Sequence, residues 1–190
     1  MSDETKAAVK AARKGDPDAW DTLFRRHQAP LYVFVMEMVR NRATALDVVQ
    51  ETFIAATRHL RGLRDDGKFA SWLFSIARQK TIQHWRKNRH ETVPLEESTE
   101  ADRVTDEDPS QHAVREEDEA GFIAAIGRLS EPQREVLVLH YLDEFVVEEI
   151  AVITDTPVGT VKSRLHHARR SLKQILRYEN APGNPLGTTR

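Results

Sequence analysis

The sequence predicts an all-α protein made of two small helical domains joined by an acidic flexible linker, the second of them a helix-turn-helix domain. Three observations lead there. Apolar residues recur at helical steps of three and four from Trp20 to Ala77 and again from Phe122 to Leu172, and no strand-like alternation of useful length interrupts them. Charge is sorted along the chain: residues 1–90 hold 17 basic and 10 acidic side chains, residues 91–120 hold 2 and 12, and residues 121–190 hold 9 and 8. The net charge of −2 therefore hides two basic-to-neutral bodies flanking an acidic strap. Lastly, Val146 to Leu172 reads as two short helices about a tight turn, with positive charge confined to the second.

The first body is expected over residues 1–90. Gly15-Asp16-Pro17 breaks an opening helix, Asp18 is placed to cap the next, and Trp20, Leu23, Phe24, Leu31, Phe34, Val35 and Met38 follow at helical spacing. Asn41-Arg42 punctuates. A third helix over about residues 44–60 sets Leu46, Val49, Phe53 and Ala56 on one stripe, with Asp47, Gln50, Glu51 and Arg58 turned outwards. After a turn at residues 62–67, Phe69, Trp72, Leu73, Ile76 and Ala77 form the apolar face of the longest helix, whose other face is polar and largely basic: Arg78, Gln79, Gln83, Arg86, Lys87 and Arg89. Trp72 falls on the apolar stripe and reads as core. Trp85 lies in His84-Trp85-Arg86-Lys87-Asn88-Arg89, where aromatic and basic side chains interleave, so core packing and contact with nucleic acid both remain open for it.

Residues 91–117 read as the linker. Few apolar residues, high charge density and the run Thr105-Asp106-Glu107-Asp108 mark a segment without enough apolar surface to offset its ordering entropy. As a coil, about 25 residues span roughly 25 to 30 Å, and like-charge repulsion extends that.

The second body is expected over residues 118–178. Phe122, Ile123, Ile126 and Leu129 make a short amphipathic helix; Ser130-Glu131-Pro132-Gln133 starts the next with a capping-box pattern and a proline in the first turn. The turn Thr154-Asp155-Thr156-Pro157 follows Glu148-Glu149-Ile150-Ala151, and Pro157 fixes where the last helix begins. In that helix Val161, Leu165, Ala168 and Leu172 share a buried stripe, while Lys162, Arg164, Arg169, Arg170, Lys173 and Arg177 stand between and after them, and no acid occurs from Val158 to Tyr178. Such a helix suits the phosphates of a nucleic acid. Residues 179–190, rich in Pro and Gly, read as a disordered tail.

Composition narrows the function classes. The chain of 190 residues is 39% hydrophobic and has no cysteine, which removes disulfides, thiolate zinc sites and a thiol nucleophile. No apolar run approaches the ~20 residues a membrane span needs, and no secretory signal is visible, so a soluble, cytoplasmic protein is expected. The eight histidines offer no metal-ligand spacing: His166 and His167 are adjacent and point about 100° apart on a helix. With neither a phosphate-cradling glycine loop nor a nucleophile elbow, no catalytic residue, metal, cofactor or small-molecule substrate is assigned.

Two motifs carry a family resemblance. Pro132-Gln133-Arg134-Glu135-Val136-Leu137, Glu148-Glu149-Ile150-Ala151 and Pro157-Val158-Gly159-Thr160-Val161-Lys162-Ser163-Arg164-Leu165 resemble the C-terminal promoter-binding domain of bacterial extracytoplasmic-function sigma factors. Asp47-Val48-Val49-Gln50-Glu51-Thr52-Phe53 and Phe69-Ala70-Ser71-Trp72-Leu73-Phe74-Ser75-Ile76-Ala77-Arg78 resemble the polymerase-binding and minus-ten-element helices of the same family. The resemblance spans about residues 8–177.

It implies a non-catalytic factor that binds core RNA polymerase, recognises a two-part promoter and directs transcription initiation, associated with the nucleoid and with an anti-sigma factor as a further partner. It places core polymerase on Asp47, Gln50, Glu51, Ile54 and Arg58; the minus-ten element on Leu63, Arg64, Gln79, Gln83, Arg86, Lys87 and Arg89; and the minus-thirty-five element on Pro157, Gly159, Thr160, Lys162, Ser163, His166, His167 and Arg170. Gln79, Gln83 and His167 depart from residues frequent in the family, and Asp155 stands at a turn position usually held by glycine. Two alternatives stand beside this reading. One is a sigma-like decoy that binds an anti-sigma factor or polymerase without reading DNA, against which the acid-free basic helix argues. The other is a helix-turn-helix repressor, which would need a dimerisation element to bind paired half-sites.

Overall fold

A computed structural model describes residues 3–91, 124–141 and 144–179, and every described element is helical. The expected linker and tail fall outside these residues, apart from Glu91 and Glu179 at helix ends. Helix α1 runs Asp3–Arg13, α2 Pro17–Val39, α3 Arg42–His59 and α4 Phe69–Glu91. Two 3-10 turns, Leu60–Gly62 and Asp66–Lys68, join α3 to α4. After a helical turn over residues 124–127 come α5 Glu131–Tyr141, α6 Val147–Thr154 and α7 Val158–Glu179.

Helix ends lie where the local chemistry puts them. Gly15 leaves α1 at φ +93°, a backbone conformation L side chains rarely adopt. Asp16, rather than the expected Asp18, caps α2: its carboxylate accepts from the Asp18 and Ala19 amides at 3.0 and 3.4 Å. The reason is Pro17, which begins the helix with a fixed φ and no amide of its own, so the cap moves to the residue before it. Asn41 caps α3 through the Thr44 amide at 2.9 Å.

The α3 stripe is rotated by one residue from the sequence expectation. Ala45, Val48, Val49, Thr52, Phe53 and Ala56 are buried, and Leu46 is exposed. Packing of α3 between α2 and α4 selects this phase, and the buried Thr52 hydroxyl is satisfied by donating to the Val48 carbonyl at 2.7 Å. Phe24, one of the residues at helical spacing in α2, is exposed at the edge of the core and meets the Phe53 ring at 4.8 Å between centroids. In α4, Phe69, Leu73, Phe74 and Ala77 are buried, whereas Trp72 and Ile76 are half-buried.

The two bodies that the sequence separates are packed together, with one apolar cluster running through both. Helix α5 lies between α2 and α7, which is why six consecutive residues, Arg134 to Leu139, are buried instead of a single stripe. Phe145 meets Phe74 of α4 edge-on, 4.9 Å between centroids, and the Arg40 guanidinium donates to the Gly127 carbonyl. Polar groups drawn into this junction shift. Burial raises the pKa of Glu37, opposed by the nearby Arg134 and Arg40, and lowers that of Arg134.

Candidate polymerase and nucleic-acid interfaces

The outward face of α3 carries Asp47, Gln50, Glu51, Ile54 and Arg58, all exposed, with Leu46 beside them. On one flank of this face Phe24, Tyr32, Leu46, Val49, Phe53 and Ile54 line an open apolar groove of about 600 Å³. Exposed apolar groups ringed by carboxylate, amide and guanidinium side chains make a surface that water wets poorly and a protein partner can cover. Sequence reasoning missed Leu46 and Phe24 here, because helical periodicity alone cannot fix the phase of a stripe to one residue.

On the other flank, α3 faces α4 across a cleft of about 540 Å³ lined by Glu51, Ile54, Arg58, Trp72, Gln79 and Gln83 among others. A neighbouring hollow continues it along Asp47, Glu51, Lys80, Gln83, His84 and Lys87. The structure thus brings the expected polymerase set and the amide-bearing part of the minus-ten set to opposite walls of one cleft. Lys80, not singled out from sequence, spans it by pairing with Glu51 at 3.1 Å. Gln79 and Gln83 are exposed at the rim, each with an amide that both donates and accepts, which suits the edge of an unstacked base. Arg86 and Lys87 are exposed further along α4, and the Arg89 side chain lies outside the described residues. Trp85 is half-buried against the core.

Leu63 and Arg64 occupy the loop between the 3-10 turns. Arg64 is exposed; Leu63 is half-buried, its side chain packed on the core and its carbonyl accepting from Arg13 at 2.9 Å.

The helix-turn-helix is formed by α6 and α7. Glu149 accepts from the Val146 amide at 3.3 Å at the start of α6, half of a capping box, since valine has no acceptor side chain to complete it. Asp155 ends α6 at φ 49°, the left-handed conformation that the turn requires and that Asp tolerates better than most side chains. The Thr156 amide reaches the Ala151 carbonyl at 3.1 Å, and α7 then starts after Pro157. Val161, Leu165 and Ala168 are buried against the domain, which turns Lys162, Ser163, His166, His167 and Arg170 outwards; Pro157 and Gly159 are exposed and Thr160 half-buried. A Cβ at Gly159 would meet nothing within 4 Å, and its φ is not positive, so the fold itself does not demand glycine there.

His140 is structural: its Nδ1 is 3.1 Å from the Phe145 carbonyl. Among the described residues no three His, Cys, Asp or Glu side chains converge as a metal-ligand group, and no helix is long and apolar enough to cross a membrane.

Comparison with known proteins bears directly on these surfaces. Residues 23–91 match the family model for Sigma-70 region 2, and residues 121–172 the model for Sigma-70, region 4. The chain is 32% identical over 183 residues to the ECF RNA polymerase sigma factor SigW of Bacillus subtilis (strain 168), a match covering 90% of this chain and 96% of that one. It belongs to the ECF RNA polymerase sigma factors. The RNA polymerase sigma-H factor of Pseudomonas aeruginosa is 30% identical over 92% of this sigma factor and 94% of its own length. Among solved structures, CnrH in complex with the cytosolic domain of CnrY superposes with a TM-score of 0.67 at 26% identity, over 92% of this chain and 97% of that one. The sigma factor RpoE of Bartonella quintana, solved with the anti-sigma factor NepR, shares the fold with a TM-score of 0.65 over 83% of this chain and 96% of that one. This sigma factor therefore serves transcription initiation, with α1–α4 containing its region 2 and α5–α7 its region 4.

Proposed function

We propose that the three surfaces divide the labour of promoter-specific initiation. The outward α3 face, Asp47, Gln50, Glu51, Ile54 and Arg58 with the adjoining apolar groove, docks on core RNA polymerase. The α4 wall of the cleft, Gln79 and Gln83, together with Arg86, Lys87, Arg89 and the loop bearing Leu63 and Arg64, holds the single strand of the minus-ten element. Helix α7 enters the major groove at the minus-thirty-five element, with Lys162, Ser163, His166, His167 and Arg170 towards the DNA and Pro157, Gly159 and Thr160 at its leading end.

The observation that carries this reading is the separation of faces on α7: every apolar residue of its first three turns is turned inwards or half-buried, while an uninterrupted basic and polar set is exposed on a helix without an acid before Glu179. Gly159 adds to it, since a glycine the fold does not need permits close approach of another surface. One solved relative is bound to the anti-sigma factor NepR and another to the cytosolic domain of CnrY, and we assign this chain an anti-sigma factor as a further protein partner. No catalytic step of its own is assigned; the polymerase supplies the chemistry.

Transcription in vitro from fragmented host genomic DNA, with core polymerase and with or without this chain, tests the proposal. New RNA 5′ ends sharing two upstream motifs are the expected result and deliver the recognition sequence. Binding to core polymerase without new starts would instead favour the decoy reading.

A further inference from the structure

Helix α1 lies outside the region 2 match, yet its last residue reaches into the loop that precedes the DNA-reading helix. Arg13 Nη2 donates both to the Leu63 carbonyl at 2.9 Å and to Asp66 Oδ1 at 2.5 Å, partners 50 and 53 residues away in sequence. The pair is largely withdrawn from water, with side-chain exposures of 30% for Arg13 and 14% for Asp66. Charge-assisted contacts of this kind are stronger than neutral ones, and holding two acceptors at once fixes a direction as well as a distance.

The loop has local order of its own, and Leu60 and Leu63 hold its first half against the core, whereas Arg64 and Asp65 are exposed. The Leu63 amide reaches the Leu60 carbonyl at 3.1 Å, the Gly67 amide donates to Asp65 Oδ1 at 2.8 Å, and the Lys68 amide reaches the Asp65 carbonyl at 3.0 Å. Between these two small turns the backbone is extended at Leu63, with φ −71° and ψ 115°, and Arg64 projects into solvent. The carbonyl held by Arg13 belongs to the peptide that leads into Arg64. Fixing that peptide fixes the direction in which Arg64 departs, and Asp66 anchors the second turn on the far side of it.

We propose that Arg13 is the positioning residue of the loop at residues 60–68: by clamping the Leu63 carbonyl and Asp66 it presets the surface with which the loop selects the minus-ten single strand. This rests on the reading above that Leu63 and Arg64 face that strand. Discrimination between unstacked bases needs side chains whose positions are set before binding, and a loop free to move spreads the same contacts over many geometries. Arg13 thereby gives α1 a part in promoter selectivity without touching DNA.

The test uses full-length chain bound to core polymerase and a fluorescent non-template-strand oligonucleotide bearing the minus-ten hexamer mapped by in vitro transcription, against a scrambled oligonucleotide of the same length. Arg13→Ala is expected to lower the ratio of the two affinities by about tenfold, to change affinity for the scrambled strand less than about twofold, and to leave core polymerase binding intact. Arg13→Lys, which keeps a donor cation of similar reach, is expected to recover most of the ratio. Asp66→Asn, which weakens the clamp from the loop side, is expected to act in the same direction and more weakly, and decides the matter if Arg13→Ala loses its helical circular dichroism. An equal loss for both strands in Arg13→Ala overturns the proposal by making Arg13 a general phosphate contact, as does an unchanged ratio. If the wild-type complex itself does not distinguish the two strands, the assignment of the loop to the minus-ten element fails first and the role of Arg13 falls with it.

Discussion

Arg78 on α4 and Glu135 on α5 are joined by a hydrogen-bonded ion pair, 2.6 Å from Nε to Oε1, across the junction of the two sigma regions. The Glu135 side chain is 8% exposed and that of Arg78 24%. Burial pushes the Glu135 carboxyl up, and Arg78, by charge and hydrogen bond, opposes this without cancelling it. The pair is thus a junction held by two groups that would each be costly alone. Glu135→Ala should destabilise the protein by about 1–3 kcal/mol, because Arg78 loses its acceptor and charge partner in a half-buried site. Glu135→Gln, which keeps an acceptor and carries no charge to desolvate, should cost less. Urea denaturation at pH 7 separates the two; equal losses would mean that the carboxylate charge, absent from both variants, carries the whole contribution and the retained shape and acceptor none.

His27 sets an acid limit. Its ring is buried 5.4 Å from the Phe69 ring, and burial, with the neighbouring Arg26, lowers its pKa from 6.5 to about 4. Between those two values the unfolded chain binds a proton that the folded chain refuses, so stability falls as pH drops through 6.5 and the loss levels off below 4. From pH 8 to pH 5 this one group should cost about 2 kcal/mol. Glu37 and Glu135 run the other way, since a raised carboxyl pKa favours the folded state as pH falls. His27→Leu should therefore flatten or reverse the slope of denaturation midpoint against pH over this window, and an unchanged slope would rule His27 out as its source.

Polymerase docking should depend on Ile54 more than on its charged neighbours. Ile54 is 43% exposed at the meeting point of the apolar groove and the α3–α4 cleft. Ile54→Asp should leave the thermal midpoint within a few degrees of wild type and weaken core polymerase binding by about tenfold or more, as expected for an apolar anchor near the centre of an interface. Retained affinity in a pull-down with purified core enzyme would move the docking surface elsewhere.

On α7, Lys162→Ala should weaken binding to duplex carrying the minus-thirty-five element. If the ammonium meets a phosphate, the slope of log K against log salt should fall in magnitude by about one unit while sequence preference is kept; if it meets a base edge, preference should change instead. A variant that moves neither quantity would place Lys162 outside the interface.

The sequence by itself determined the helices, most of their breaks and the faces of α7, though it placed the α2 cap on Asp18 instead of Asp16. Those features follow from neighbours three and four residues apart and from caps and breakers such as Gly15, Pro17, Asn41 and Pro157, all legible in order along the chain. The positive φ that the turn imposes on Asp155 was foreseeable for the same reason, because it belongs to a local motif. The phase of α3 was not: a 3.6-residue repeat accommodates either Ala45 or Leu46 as its inward member, and only the pressure of α2 and α4 chose Ala45. Tertiary structure alone also decided that the two regions pack through Arg78 and Glu135, 57 residues apart, and that Arg13 reaches Leu63 and Asp66. Charges distant in sequence carry no mark of their partners, since pairing depends on how whole helices close on one another, and that is settled by the sum of buried area rather than by any local pattern.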